Sequence, residues 1–218
     1  MLCLIFITAL PLGLPAQETG EPVWPESLNT ARNAGYLTEA EREVVFEMNK
    51  VRSDPSLYAW YLRQERQYYF GNQIKRPLQM PVLTREGLVA LDECIAFLEN
   101  VSKARPLRPH EGLTKASRRH AADQAETGET GHDGSDGSTI PERISETVWN
   151  WIKVAENINY GDNNARSIII SLLIDDNVPD RGHRYTLLDP ELTHCGVAID
   201  RHPDYRYSCV IDYASFFR

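Results

Sequence analysis

Cysteine is scarce in this chain, with four in 218 residues. Export would remove the first of them, as argued below, and leave Cys94, Cys195 and Cys209. So sparse and odd a set excludes a disulfide framework, and no CxxC or Cys/His spacing suggests a zinc finger. Positive charge is also in deficit: 23 Lys and Arg stand against 31 Asp and Glu, a formal net charge of −8. With both signs interspersed, that balance argues against nucleic acid or an anionic membrane as partner. Long apolar runs are missing apart from the opening MLCLIFITALPLGLPAQ. About fifteen apolar positions are too few for a membrane span and suit the core of a secretory signal peptide. No transmembrane span is therefore expected in the mature chain. Internal repeats and low-complexity tracts are absent, and the length suits one good-sized domain with its own core.

The expected organisation is a leader over residues 1–16, an N-terminal arm over 17–36 and one domain over 37–218. Cleavage is placed near Ala16, although no basic residue precedes the apolar run and Leu14 stands where a small side chain is usual. The arm carries Pro22 and Pro25 and no sustained periodicity, with Trp24 and Leu28 available to hold it to the domain. Thr38 and Glu41 form a capping-box pair ahead of a helix that Ser53-Asp54-Pro55 ends. Further helices are expected from Pro55 to about Arg66, from Arg85, from Thr114 to Ala125 with a stop at Gly128, from Ile140, and through NARSIIISLLIDD. Strand character appears near Ile152–Val154. CGVAID and RYSCVIDYASFF read as a hairpin joined by RHPDY, which makes Cys195 and Cys209 candidate cross-strand neighbours. Tyr205, Tyr207 and Tyr213 read as residues of that sheet. Helices predominate over a small, mainly antiparallel sheet, so the class is α+β.

Four residues stand in unusual company. His132 and His183 each follow a glycine, in GHDGS and RGHR, and neither lies on an apolar face. Glu142 opens a helix after the loop GHDGSDGST, and Glu156 interrupts the apolar run VAENI, where a carboxylate is costly without a partner. Each also has an ordinary role. Glu142 completes a capping box with Thr139, His132 is a loop histidine, and His183 is a surface residue between Arg181 and Arg184. That flanking positive charge favours a neutral imidazole able to ligate a metal. Two imidazoles and two carboxylates meeting in one pocket suit a divalent cation such as zinc. No short ligand motif such as HExxH enforces the meeting. Nor is the loop a calcium loop: counted from Asp133, its sixth position is Ser138 in place of Gly and its twelfth is Ile144 in place of Glu.

The ordered set GHDGSDGSTIPERI, AENINYG, LLIDDNVPDRGHR, CGVAID and YSCVIDYA resembles the bacterial branch of the superfamily of cysteine-rich secretory proteins, antigen 5 and pathogenesis-related proteins (the CAP or SCP domain). LNTARNAGYLTEAEREVVFEMNKVRSDP resembles the N-terminal region of exported bacterial members. The resemblance covers roughly residues 28–214 and implies a three-layer α-β-α sandwich with a central cleft. In that family two histidines and two glutamates line the cleft and can hold a divalent metal, zinc in some members. Matched by motif, they fall here on His132, Glu142, Glu156 and His183. The chain departs from the animal and plant pattern in reading GHRYT after Arg181, in lacking most of the family's cysteines, and in placing Trp149 and Trp151 before the cleft glutamate.

Three readings of function stay open. The first is a secreted or envelope-associated binding module whose cleft takes a metal with a small apolar, lipid- or sterol-like, or peptide ligand. The second is a metal-dependent or Ser/His hydrolase, for which zinc-bound water and a glutamate base suffice. Ser135 and Ser138 lie near His132, but no GxSxG elbow is present. The third is an interaction protein that meets a cell-envelope or host partner, with the four residues purely structural.

Overall fold

The computed structural model describes residues 20–216. The expected leader over 1–16 and the first residues of the arm lie outside them. In chain order the elements are α1 (Glu39–Ser53), α2 (Pro55–Glu65), β1 (Tyr69–Phe70), β2 (Gln73–Ile74), β3 (Val82–Leu83), α3 (Leu88–Asn100), β4 (Arg108–Pro109) and α4 (Glu111–Thr127). There follow α5 (Ile140–Ser145), β5 (Trp151–Tyr160), α6 (Ala165–Ile174), α7 (Gly182–Leu188), β6 (His194–His202) and β7 (Arg206–Phe216).

Side-chain alternation along β7 decides the layering. Cys209, Ile211 and Tyr213 face one way, with Cys195 and Val197 of β6, and enter the main core with α1, α2, α3, α6 and α7. Val210 and Ala214 face the other way, where Leu113, Ala116 and Ala121 of α4 cover them. Both faces of the sheet are thus buried and the domain is an α-β-α sandwich. The sheet runs β4-β6-β7-β5, antiparallel except for the short β4.

Local signals set most of the ends. Thr38 N–H donates to Glu41 (2.7 Å) and Glu41 N–H donates back to the Thr38 hydroxyl (3.3 Å), completing the box. Gly128 ends α4 in the left-handed conformation (φ 74°) that glycine adopts without strain. In the arm, Trp24 Nε1 donates to the Tyr61 hydroxyl (3.0 Å) and Leu28 is buried.

Several boundaries differ from the sequence expectation. The third helix starts at Leu88, three residues after Arg85, and α4 starts earlier, at Glu111, with the His110 ring as its cap. The strand expected near Ile152–Val154 runs on through Tyr160. Short α7 and the small β1-β2-β3 sheet were not legible, because pieces of two to seven residues carry too little periodicity. Cys195 and Cys209 sit on adjacent strands without facing each other: Cys195 pairs with Tyr213, and Cys209 with Ile199. Both are buried free thiols, as is Cys94, and burial pushes Cys94 and Cys195 up to about 12.

Buried arginines join the layers. Arg52 sends its guanidinium to the carbonyls of Arg105, Leu187, Asp189 and Leu192 at 2.8–3.0 Å, tying α1 to the end of α7. Arg184 donates to the Leu173 carbonyl (2.5 Å) and to both oxygens of Glu93 (2.6 and 2.9 Å). Its charge-assisted bonds lock short α7 against α3 and α6, which sets the direction of the preceding residue, His183.

Candidate functional site

The loop after α4 is clamped at Gly131, whose φ of 109° disfavours a side chain. Gly131 N–H donates to the Tyr160 hydroxyl (2.9 Å), while its carbonyl accepts from buried His120 Nε2 and Gln124 Nε2 (2.9 Å each). This fixes where the next residue emerges. The half-exposed His132 ring turns its Nδ1 to Glu156 Oε1 at 2.8 Å.

Glu156 is buried on β5 and has partners for both carboxylate oxygens. Oε2 accepts from Arg143 (2.9 Å), a fully buried residue of α5 that also donates to the Ser138 carbonyl (2.7 Å). Buried His120 lies 4.0 Å from Oε1. The partner that the anomalous VAENI carboxylate requires is thus a guanidinium thirteen residues away.

Glu142, the neighbour of that arginine, points elsewhere. Its Oε2 accepts from Thr139 N–H (2.8 Å) and the Thr139 hydroxyl (2.7 Å), and these bonds lower its carboxyl below the ordinary range. Its capping role is therefore what the structure displays, with no hydrogen bond to His132, His183 or Glu156.

His183 opens α7 and its Nδ1 meets Asp175 Oδ1 at 2.7 Å. Asp175 caps α6 in the left-handed conformation (φ 54°), is nearly inaccessible, and also accepts His183 N–H (3.0 Å). Here the sequence expectation needs correcting. Arg181 and Arg184 do not supply the field at this imidazole, because their guanidiniums are taken up by Glu86 and Glu93. The group that meets the ring is a carboxylate.

The structure thus brings His132, Glu156 and His183 together and leaves Glu142 on its helix cap. The two imidazoles stand 6.4 Å apart, centroid to centroid, with 35° between their planes. Each presents Nδ1 to a carboxylate, which leaves Nε2 on the far side of the ring from that partner. Such carboxylate–histidine pairs orient imidazoles for a metal. Among the described residues, no three His, Cys, Asp or Glu side chains form a ligand group. What the structure brings together is two imidazoles with a carboxylate behind each. Neither nearby serine hydroxyl bonds His132: that of Ser135 donates to Asp123, and that of Ser138 meets the Asp136 carboxylate.

A second carboxyl lies behind the site. Asp212 stands directly across the ladder from Glu156 and bonds the Ser117 hydroxyl (2.9 Å). Burial first, then the charge of Glu156, raises its carboxyl well above the ordinary range. A carboxyl raised in this way holds its proton to higher pH, and Asp212 Oδ1 has no other partner among the described residues. Raised in the folded state, this group adds stability below the ordinary aspartate value of about 4, and that stability drains away as pH rises through the native value. Asp212→Asn is expected to lose less stability than the wild type as pH rises above the ordinary aspartate value of about 4, measured by urea midpoints at several pH values. Parallel curves would show that the proton resides elsewhere.

Asp212, Arg143, His120 and Asp175 were missed by sequence reasoning. Asp212 and Asp175 each left a faint signal, as acids abutting apolar runs (CVID and LLID). Arg143 left none, because a charge beside a capping glutamate looks solvated.

The model of the cysteine-rich secretory protein (CAP) family matches residues 47–213, and the chain belongs to that family. Two solved structures show likeness at 18% identity over 51% of this chain. One is an outer surface protein of Borrelia burgdorferi, with 78% of its chain covered and a TM-score of 0.44. The other is an extracellular protein containing an SCP domain from Bacillus anthracis strain Ames, with a TM-score of 0.43; the match spans 34% of that longer chain. No curated protein matches.

Proposed function

We propose that this family member is an exported, non-catalytic binding module whose cleft holds a divalent cation, zinc being the best fit, between His132 and His183. One observation carries the reading: both imidazoles are oriented through Nδ1 by buried carboxylates, Glu156 and Asp175, and among the described residues neither Nε2 has a hydrogen-bond partner. Two nitrogen donors leave positions on a four-coordinate ion for water or for a ligand group. A bound cation would supply Lewis acidity there. What the chain supplies is orientation: the Gly131 clamp holds one ring and the Arg184 anchor holds the other. The ligand would be a small apolar or peptide-like molecule, and the setting the cell envelope or a host surface. Export rests on the apolar leader. Among the described residues no helix is long and apolar enough to cross a membrane.

Zinc titration by calorimetry on the mature protein tests this. One-to-one binding is expected, and it should vanish in the His132→Ala/His183→Ala double variant. Asp175→Asn should weaken it by about 10- to 100-fold, since the ring loses its orienting carboxylate. Wild-type affinity persisting in the folded double variant would refute the site. Turnover of an ester or peptide by the zinc-loaded wild type would favour the hydrolase reading.

A further inference from the structure

Residues 69–84 fold into the flap β1-β2-β3, which covers a cavity of about 350 Å³ bounded by the end of β5 and by α6. This volume lies in the range of small-molecule sites. Its apolar walls include Ile74 and Leu83 from the flap and Ile170 from α6, and His183 lines it as well.

Two features call for an occupant. Asn159 lines the cavity and is only 5% exposed, yet its Oδ1 is buried with no hydrogen-bond partner. The Thr84 hydroxyl, also on the lining, is in the same condition. A buried acceptor left unpaired is destabilising, so such groups usually have a donor. The second feature is wetted apolar surface. Val82 and Leu83 line the cavity while remaining 51% and 76% exposed. An apolar body beneath the flap would remove that area from water.

Charge narrows the class. Asp162, Asp175 and Asp176 line the cavity, with Arg76 the one guanidinium against them, and Arg76 already pairs with Glu65. A carboxylate-headed molecule would meet repulsion there, whereas an N–H or O–H head would meet the free acceptor of Asn159. We infer that the flap cavity binds a neutral amphipathic small molecule whose amide or alcohol head donates to Asn159 and whose apolar tail lies under Ile74, Val82 and Leu83. This deepens the binding-module reading and does not rest on the cation, although His183 borders both sites.

The test uses the full mature protein and three probes. N-phenyl-naphthylamine, neutral and with a single N–H, should fluoresce on binding. Decanamide should displace it, and decanoate should compete at least about tenfold less well. Asn159→Leu should remove that preference for the amide. Should Asn159→Leu fail to fold, Leu83→Asp, on an exposed position, should still weaken both probe and amide by about tenfold. Equal competition by decanoate, or probe binding that Leu83→Asp leaves untouched, overturns the inference. Zinc titration on the same wild-type sample separates the two proposals. Zinc binding without amide binding defeats only the cavity, and amide binding without zinc defeats only the cation site.

Discussion

Arg143→Met is expected to destabilise the domain by about 3–5 kcal/mol, because it strands the Glu156 carboxylate in the interior. Both side chains are almost wholly inaccessible, at 2% and 0%, so solvent screening offers little relief. The methionine keeps the apolar stem but supplies no donor to Glu156 Oε2 or to the Ser138 carbonyl. A loss of that size is a large share of the 5–15 kcal/mol that typically holds a domain together. Adding Glu156→Leu to the same chain should restore most of the stability, because the buried charge then disappears with its partner. The double variant should nonetheless bind zinc poorly, since His132 loses the carboxylate that turns its ring. Urea unfolding of the wild type, the two single variants and the double variant measures the coupling. A cost below about 1 kcal/mol for Arg143→Met would mean that water reaches the pair.

Gly196→Ala is expected to be at least as damaging, for a steric reason. A methyl group at this β6 position would lie 2.1 Å from the Leu113 carbonyl carbon and 2.2 Å from Thr114 N. Those are backbone atoms of α4, so no side chain can rotate aside. Helix and sheet must separate, and the cost should exceed the roughly 1–3 kcal/mol of ordinary overpacking. The displacement would propagate along α4 to His120 and Gln124, which hold the Gly131 carbonyl, so zinc affinity should fall together with the thermal midpoint. An unchanged midpoint would contradict the close approach of α4 to the sheet.

The two variants mark where the sequence was legible and where it was not. Capping boxes at Thr38 and Thr139, the glycine stop at Gly128 and the hairpin of the last two strands are local signals, and each appears in the structure. Ordered motifs were sufficient for the family, which the match over residues 47–213 shows. They also singled out His132, Glu156 and His183, which do meet. Glu142 was singled out with them, and its carboxylate serves its own N-cap.

By itself, then, the sequence determined the capped helix ends, the C-terminal hairpin, the α+β class and the neighbourhood of the site, because each depends on residues a few positions apart. Only the tertiary structure decided which charge answers which. Arg143 reaches Glu156 across 13 positions, Ser117 reaches Asp212 across 95, and Arg184 reaches Glu93 across 91. The roof over the flap cavity is likewise a matter of which strand packs on which helix. No short pattern encodes such pairings. They follow from desolvation, which makes a buried charge or amide take whatever partner the packed chain brings within 3 Å.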